Sequence, residues 1–130
     1  MSYQTNILKK VQTNEFFREV LFSGQKSQLV VMSIAVGGEI GEETHEKVEQ
    51  ILFNFSGSEK VILDGVESEF NAGDVVVVSP GVKHNFINTG NEPLKIYTVY
   101  ALQNHIDGRI HKTKKDADAD VEDEQFGEKV

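Results

Sequence analysis

Four side chains in two short stretches of the sequence carry the chemistry that a metal site requires. Glu43 and His45 are two residues apart in a predicted strand, so their side chains leave the same face. Gln50 lies five residues after His45, and His84 follows the Pro80-Gly81 turn. If the two stretches form neighbouring hairpins, one carboxylate, two imidazoles and one amide converge on a point.

Two histidines and one carboxylate form a ligand set that suits Fe(II) and leaves coordination positions open, and Mn(II), Ni(II) and Zn(II) fit nearly as well. Gln50 adds a weak fourth ligand oxygen, or it holds a metal-bound water by hydrogen bonding. The chain has no cysteine, which excludes thiolate ligands and cysteine nucleophiles. The sequence therefore predicts one divalent metal ion bound through nitrogen and oxygen atoms.

Each of these residues also has an ordinary structural explanation. Glu43 belongs to an acidic run whose members are exposed in the simplest reading: Glu39, Glu42, Glu43, Glu46 and Glu49. On the same reading His45 and His84 are ordinary surface or core histidines, and Gln50 bridges strands. No motif marks a serine or lysine nucleophile, a glycine-rich phosphate loop or a paired-carboxylate hydrolase.

The elements that must position these residues are short strands. Gln28–Val36 is apolar on both faces, so both faces are predicted to be covered. Asp64-Gly65 is the strongest hairpin signal in the chain. Val75–Val78 is wholly apolar and is predicted to be buried on both sides, and Leu94–Ala101 is the last clear strand. Some eight short strands with regular turn signals and no helical period predict an all-β sandwich or small barrel.

The two stretches resemble the two signature motifs of the cupin family over residues 27–101. The first motif is matched by Gly37, Glu43, His45, Gln50 and Gly57, and the second by Gly73, Gly81, His84 and Asn88. Glu43 replaces the first histidine of the family pattern, Gln50 replaces its glutamate, and the proline has moved one place to Pro80. The resemblance implies a double-stranded β-helix, or jelly-roll barrel, with a metal at Glu43, His45, Gln50 and His84.

The resemblance also implies a small organic ligand in the barrel, with Phe86, Tyr97 and Tyr100 as pocket-wall candidates. A metal there supports a dioxygenase, an isomerase or a lyase reaction. The chain is similar to cupins often labelled mannose-6-phosphate isomerase, although fold is weak evidence for reaction. The alternative is a cupin that binds a ligand or a structural metal without catalysis, so whether the protein is an enzyme stays open.

The parity of the strand at Val48–Phe55 predicts an interface. If Gln50 faces the barrel interior, as the resemblance implies, then Ile51, Phe53 and Phe55 face outward as an apolar patch. Monomers seldom leave such patches open. We expect another sheet layer, the N-terminal segment or a second subunit to cover it, and a homodimer is the expected assembly.

Outside the barrel the sequence divides into two flanking segments. Residues 1–26 are predicted to form an N-terminal arm and edge strand, residues 27–102 the barrel, and residues 103–130 a C-terminal loop and acidic tail or helix. In the last segment His105 and His111 bracket Asp107 and Arg109. A lid or supporting role at the site is open for both histidines, and a plain loop is the preferred interpretation.

The formal net charge of -8 and the scattered lysines and arginines argue against nucleic acid and anionic membranes as partners. No run approaches the roughly 18 apolar residues that a membrane helix needs, and the first thirty residues lack a leader pattern. We therefore expect a soluble, cytoplasmic protein whose partner is a small molecule.

Overall fold

The computed structural model describes residues 2–129 of the chain. Within this range the chain forms ten strands and three short helices. The strands are β1 (Arg18–Ser23), β2 (Gln28–Ile34), β3 (Glu43–Thr44), β4 (Glu49–Ser56), β5 (Glu59–Leu63), β6 (Val66–Phe70), β7 (Val75–Val78), β8 (Lys83–Asn88), β9 (Leu94–Ala101) and β10 (Ile110–His111). The helices are α1 (Ile7–Thr13), α2 (Lys114–Ala119) and α3 (Val121–Lys129).

Two antiparallel sheets enclose one core. The larger has the order β10-β1-β2-β9-β4-β7, and the smaller has the order β3-β8-β5-β6. Strands distant in sequence pair with each other, as β2 does with β9 and β3 with β8, which is the connectivity of a jelly roll. Side chains from both sheets fill the core, including Met32, Leu52, Phe70, Phe86 and Ile96. The prediction of an all-β jelly-roll barrel is confirmed.

The predicted Asp64-Gly65 turn connects β5 to β6 and supports the neighbouring strand β8. Asp64 and Gly65 have φ values of 49° and 82°, the left-handed conformation that a tight hairpin of this kind requires. The Asp64 backbone N–H donates to the carbonyl of Lys83 at 2.8 Å, and the Lys83 N–H donates to Asp64 Oδ1 at 2.9 Å. The turn therefore fixes the start of β8, where His84 lies.

The N-terminal segment differs from the prediction, because residues 7–13 form the helix α1. Asn6 caps this helix by accepting a hydrogen bond from the Lys9 N–H, and Val11 is fully buried where α1 packs on the larger sheet. A helix of two turns is too short to show a period in sequence. The predicted edge strand is β1, but β10 pairs with it on its outer side, so β1 is not at the sheet edge.

The outer face of the larger sheet carries the apolar patch that strand parity predicted. Ile51, Phe53 and Phe55 are half-buried, and the Phe53 ring stacks on Tyr97 with 4.8 Å between centroids. Val75 and Val77 of β7 extend the patch and are 52% and 53% exposed. The prediction that this strand is buried on both sides is wrong, because β7 is an edge strand whose outer face has no covering layer within residues 2–129.

The C-terminal acidic segment is helical and packs against the barrel. Thr113 caps α2 by accepting a hydrogen bond from the Asp116 N–H at 3.1 Å, and α3 follows directly. The helical alternative for this segment is confirmed. Among residues 2–129, no helix combines the length and apolar character needed to cross a membrane.

Candidate functional site

Three of the four predicted ligands lie together at one end of the smaller sheet. Glu43 of β3 is paired directly with His84 of β8, and His45 follows β3 after one residue. The imidazole rings of His45 and His84 are 5.2 Å apart between centroids, and Glu43 Oε2 is 3.1 Å from His45 Nε2. The structure thus brings one carboxylate and two imidazoles from separate hairpins to the same place.

A backbone hydrogen bond fixes the tautomer of His84. Its Nδ1 lies 2.9 Å from the carbonyl oxygen of Val82, so Nδ1 carries the proton and donates it. The lone pair of Nε2 is then free, which is the usual arrangement for a ligating histidine. Burial lowers the pKa of His84, so the neutral, ligating form is favoured.

Glu43 is ionised at physiological pH. Burial alone would raise its pKa, but the hydrogen bond from His45 and the positive charges of Arg18, His45 and His105 outweigh burial and lower the pKa to about 2. A negatively charged candidate ligand therefore lies beside His45, and its oxygen is already hydrogen-bonded to that residue.

Gln50 lies inside the barrel, at 3% exposure, as the strand parity predicted. Its Nε2 donates to Thr98 Oγ1 at 3.1 Å, and the Thr98 hydroxyl donates to the carbonyl of Ile51 at 2.8 Å. This contact between β4 and β9 is the strand bridge that the sequence left open as an alternative. The amide nitrogen is engaged, so the carbonyl oxygen is the atom that Gln50 can offer to a metal.

The three pocket-wall candidates have different positions. Phe86 is fully buried beside His84, with 6.2 Å between ring centroids, and Tyr100 is buried beside His45 at the same separation. Tyr97 does not reach the pocket, because its parity on β9 is opposite to that of Tyr100 and it stacks on Phe53 outside the barrel. The structure therefore brings Phe86 and Tyr100 to the site and excludes Tyr97.

A second group of potential ligand residues lies closer together than the predicted set does. Within residues 2–129, the group of three His, Asp or Glu side chains whose ligand atoms all lie within 4.8 Å of one another is His111, Asp120 and Asp123. The predicted set of Glu43, His45 and His84 does not meet this condition. Metal binding there requires the Glu43–His45 hydrogen bond to open and the side chains to close further.

The His111 cluster is already saturated by protein contacts. Asp120 Oδ2 is 2.9 Å from His111 Nε2 and 3.1 Å from an Arg109 guanidinium nitrogen, and Asp120 Oδ1 accepts from the Asp123 N–H. Asp123 accepts from His105 Nδ1 at 2.7 Å and from the Ile106 N–H at 2.7 Å. Because every carboxylate oxygen has a donor and Arg109 adds a positive charge, this cluster fits a structural clasp for α3 better than a cation site.

His105 lies in a loop, as the preferred interpretation has it, but its side chain packs near the predicted site. It is buried, with Nδ1 on Asp123 and Nε2 3.3 Å from the Tyr100 hydroxyl. Tyr100 in turn contacts the His45 ring. Hydrogen bonds thus connect Asp123 of α3 through His105 to Tyr100, and a ring contact connects Tyr100 to His45. The sequence signal was weak, since Asp123 lies eighteen residues beyond His105.

The site opens into a cleft of about 610 Å³ between the barrel and the C-terminal helices. Its lining includes Arg18, Glu43, His45, His105, Lys114 and Asp123. Arg18 was not singled out from the sequence, because an arginine at the start of a strand is ordinarily exposed. In the structure it is buried at 6% exposure.

Comparison with known proteins gives consistent results. Residues 30–100 match the family described as the cupin domain. The uncharacterised protein YrkC of Bacillus subtilis is 39% identical over 121 residues, which are 88% of this chain and 65% of YrkC, so the chain spans about two thirds of that relative. The crystal structure of BH2720 from Bacillus halodurans has a TM-score of 0.90 at 34% identity and covers 92% of this chain and 95% of that one. A Thermotoga maritima structure described as a predicted oxalate decarboxylase has a TM-score of 0.58 at 26% identity and covers 61% of this chain and 69% of that one.

Proposed function

The chain belongs to the cupin family, and on that premise we propose that it binds one divalent metal ion through Glu43, His45 and His84 and acts on a small organic molecule in the cleft. The observation that carries this proposal is the 5.2 Å separation of the His45 and His84 rings, with the Glu43 carboxylate 3.1 Å from His45. Fe, Mn, Ni and Zn are the candidate metals.

The chemical state of the residues supports metal binding. Glu43 is anionic, and the Nδ1 contact of His84 leaves Nε2 free. The Gln50 carbonyl oxygen would be the weak fourth ligand of the predicted set. When bound, the metal would supply a Lewis acid, or a redox centre if it is iron.

Tyr100, His105 and Asp123 are the residues that would hold or transfer protons at the site. Burial raises the pKa of Tyr100 above its usual range, so its hydroxyl stays protonated beside His45. His105 and Asp123 hold that hydroxyl in position. Dioxygenase, isomerase and lyase reactions all remain candidates. The mannose-6-phosphate isomerase resemblance has less support, because seven carboxylates and two cationic side chains line the cleft and a phosphate dianion is repelled.

Metal analysis tests the proposal. Protein purified without chelator or tag should contain about one divalent ion per chain, and His45→Ala and His84→Ala should each lose it. Glu46→Ala and Glu49→Ala, in the same acidic run, should retain it. Asp120→Asn should also retain it, since the proposal excludes the His111 cluster. An equal loss of metal in all five variants would mean that metal content follows negative charge. A loss of metal in Asp120→Asn alone would place the ion at the His111 cluster.

The alternative is a cupin that binds a ligand or structural metal without turnover. The Glu43–His45 and Gln50–Thr98 hydrogen bonds favour it, because they satisfy polar groups at the site without a metal. Substrate-dependent oxygen consumption after Fe(II) is restored discriminates the two for the oxygenase case. A stoichiometric metal that excludes every added ligand supports the alternative.

We further propose that the assembly is a homodimer in the cytoplasm. The half-exposed Val75 and Val77, continuous with Ile51 and Phe53, support a second copy on the outer face of the larger sheet. α1 covers only part of that face.

A further inference from the structure

Arg18 is a buried cation that lacks a carboxylate partner. It is 6% exposed, and among residues 2–129 no carboxylate oxygen lies within 4.0 Å of its guanidinium nitrogens. A terminal nitrogen lies 3.3 Å from His111 Nδ1, the guanidinium also interacts with the Tyr100 hydroxyl, and the buried Nε has no hydrogen-bond partner among the described residues. Arginine is rarely buried without a paired anion, because desolvation of its charge is costly.

The guanidinium is held in a fixed place against the cleft. Its carbon lies 5.2 Å from the centre of the Phe17 ring, and it neighbours the Tyr100 hydroxyl. Because arginine only donates, His111 Nδ1 accepts, and its Nε2–H therefore donates to Asp120. Arg18 lines the same cleft as Glu43 and His45. A preorganised donor thus faces the space beside the proposed metal site.

The charges around the cleft restrict the anion that Arg18 can take. Lys114, the other cationic side chain of the lining, is 2.8 Å from Asp118 and is already paired. One guanidinium balances one negative charge, whereas the acidic lining opposes a second. A carboxylate can accept two parallel hydrogen bonds from a guanidinium while carrying only one negative charge.

We infer that Arg18 binds the carboxylate of a small organic monoacid, an inference that rests on the proposed function for the metal beside it. Arg18 is then a substrate-binding residue, and the ligand class is a short carboxylic acid. Glycolate and acetate are suitable probes, and inorganic phosphate is the competing anion.

Isothermal calorimetry on the full chain, with and without added Mn(II) or Zn(II), tests the inference. Arg18→Met should weaken glycolate binding by about tenfold or more, and Arg18→Lys should recover part of that loss because it keeps the charge without the planar donors. Lys114→Gln removes one positive charge from the same lining and should leave affinity within about twofold. Phosphate should bind more weakly than glycolate.

Four results would overturn the inference. The first is that the protein binds no carboxylate with or without metal, and the second is that Arg18→Met binds glycolate as tightly as the wild type. The third is that Lys114→Gln loses as much glycolate affinity as Arg18→Met, and the fourth is that Arg18 makes phosphate bind more tightly than glycolate. If Arg18→Met does not fold, the Arg18→Lys variant is the test. A lower affinity of Arg18→Lys for glycolate at unchanged metal content then supports the inference. Metal content is measured separately for each variant. If protein that takes up no metal binds glycolate in an Arg18-dependent way, this inference stands and the proposed metal site fails. If metal-loaded protein binds glycolate independently of Arg18, the metal site stands and this inference fails.

Discussion

Glu59 at the start of β5 offers the sharpest test of the electrostatics of this fold. Its side chain is 2% exposed, and neither carboxylate oxygen has a hydrogen-bond partner among residues 2–129. The strand pairs it with Phe70 on one side and Asn88 on the other, so no cation lies opposite it in the ladder. Burial raises the pKa of Glu59 from 4.5 to about 9. It is therefore a neutral acid in the folded protein at physiological pH.

The magnitude follows from linkage between protonation and folding. Above pH 4.5 the unfolded chain releases the Glu59 proton while the folded chain keeps it until about pH 9, so stability falls with rising pH across that window. The slope is about 1.4 kcal/mol per pH unit. At about pH 7 the accumulated cost is roughly 3 kcal/mol, a large part of the free energy of unfolding of a small domain. Below pH 4.5 the contribution of this group to stability is fully present.

Urea unfolding of the wild type and Glu59→Gln at several pH values measures this cost. Glutamine has nearly the same shape and does not ionise, so the variant should be more stable by roughly 3 kcal/mol near pH 7, and the difference should fall towards zero near pH 5. Glu69→Gln on the neighbouring strand β6, where the side chain is exposed, is the matched control and should show no such trend. A difference between Glu59→Gln and wild type that stays constant from about pH 5 to about pH 8 would refute the reasoning, because Glu59 would then be ionised in the folded protein.

Two further predictions concern the outer face and the C-terminal clasp. Val77→Asp should convert the proposed dimer into a monomer of unchanged fold, as measured by light scattering during gel filtration; a wild type that is already monomeric would contradict the proposed interface. Asp123→Asn should destabilise the docking of α3 by roughly 1.5 to 3 kcal/mol, because it weakens a buried charged hydrogen bond to His105, whereas the exposed Glu124→Gln should not. Burial lowers the pKa of His105 from 6.5, so protonation of the unfolded chain weakens this docking as pH falls below that value. The pKa of Asp123 is lowered from 3.8, because its hydrogen bond from His105 outweighs burial, so Asp123 weakens the docking only as pH falls below 3.8. Hydrogen exchange of residues 121–129 should show the opening, and protection unaffected by the Asp123 change would contradict the role of the clasp.

Local alternation divided the side chains of β4 between two faces, and the cupin resemblance indicated which face lies inside the barrel. Gln50, Leu52 and Asn54 of β4 are buried, and Phe53 faces outward, as their parity requires. The motif glycines also behave as turn chemistry predicts. At Gly57, with φ of 103°, an added Cβ would lie 3.0 Å from the Leu94 Cα, so only glycine fits. These features depend on neighbours in sequence, which is why the sequence reveals them.

Features that depend on distant pairing could not be predicted in the same way. The apolar run of β7 is half-exposed because of its place at a sheet edge, and no local pattern reports that place. Tyr97 and Tyr100 differ by parity, but the sequence does not say which parity faces the pocket. The contact of Arg18 with His111 joins residues 93 positions apart. The predicted ligands were found by spacing within motifs, whereas the residues that surround them come from the two ends of the barrel sequence.

The acidic C-terminal segment therefore contributes charges to the surroundings of the site. Asp120 and Asp123 are the carboxylates that hold His111 and His105, and those histidines contact Arg18 and Tyr100. Two negative charges support the buried guanidinium without forming a direct ion pair: Glu43, whose pKa its charge lowers, and Asp120, which lies beyond His111. This arrangement lowers the cost of burying Arg18 without neutralising it directly, since a direct ion pair would occupy the donors that face the cleft. A carboxylate that enters the cleft then meets a buried cation that has no direct ion pair.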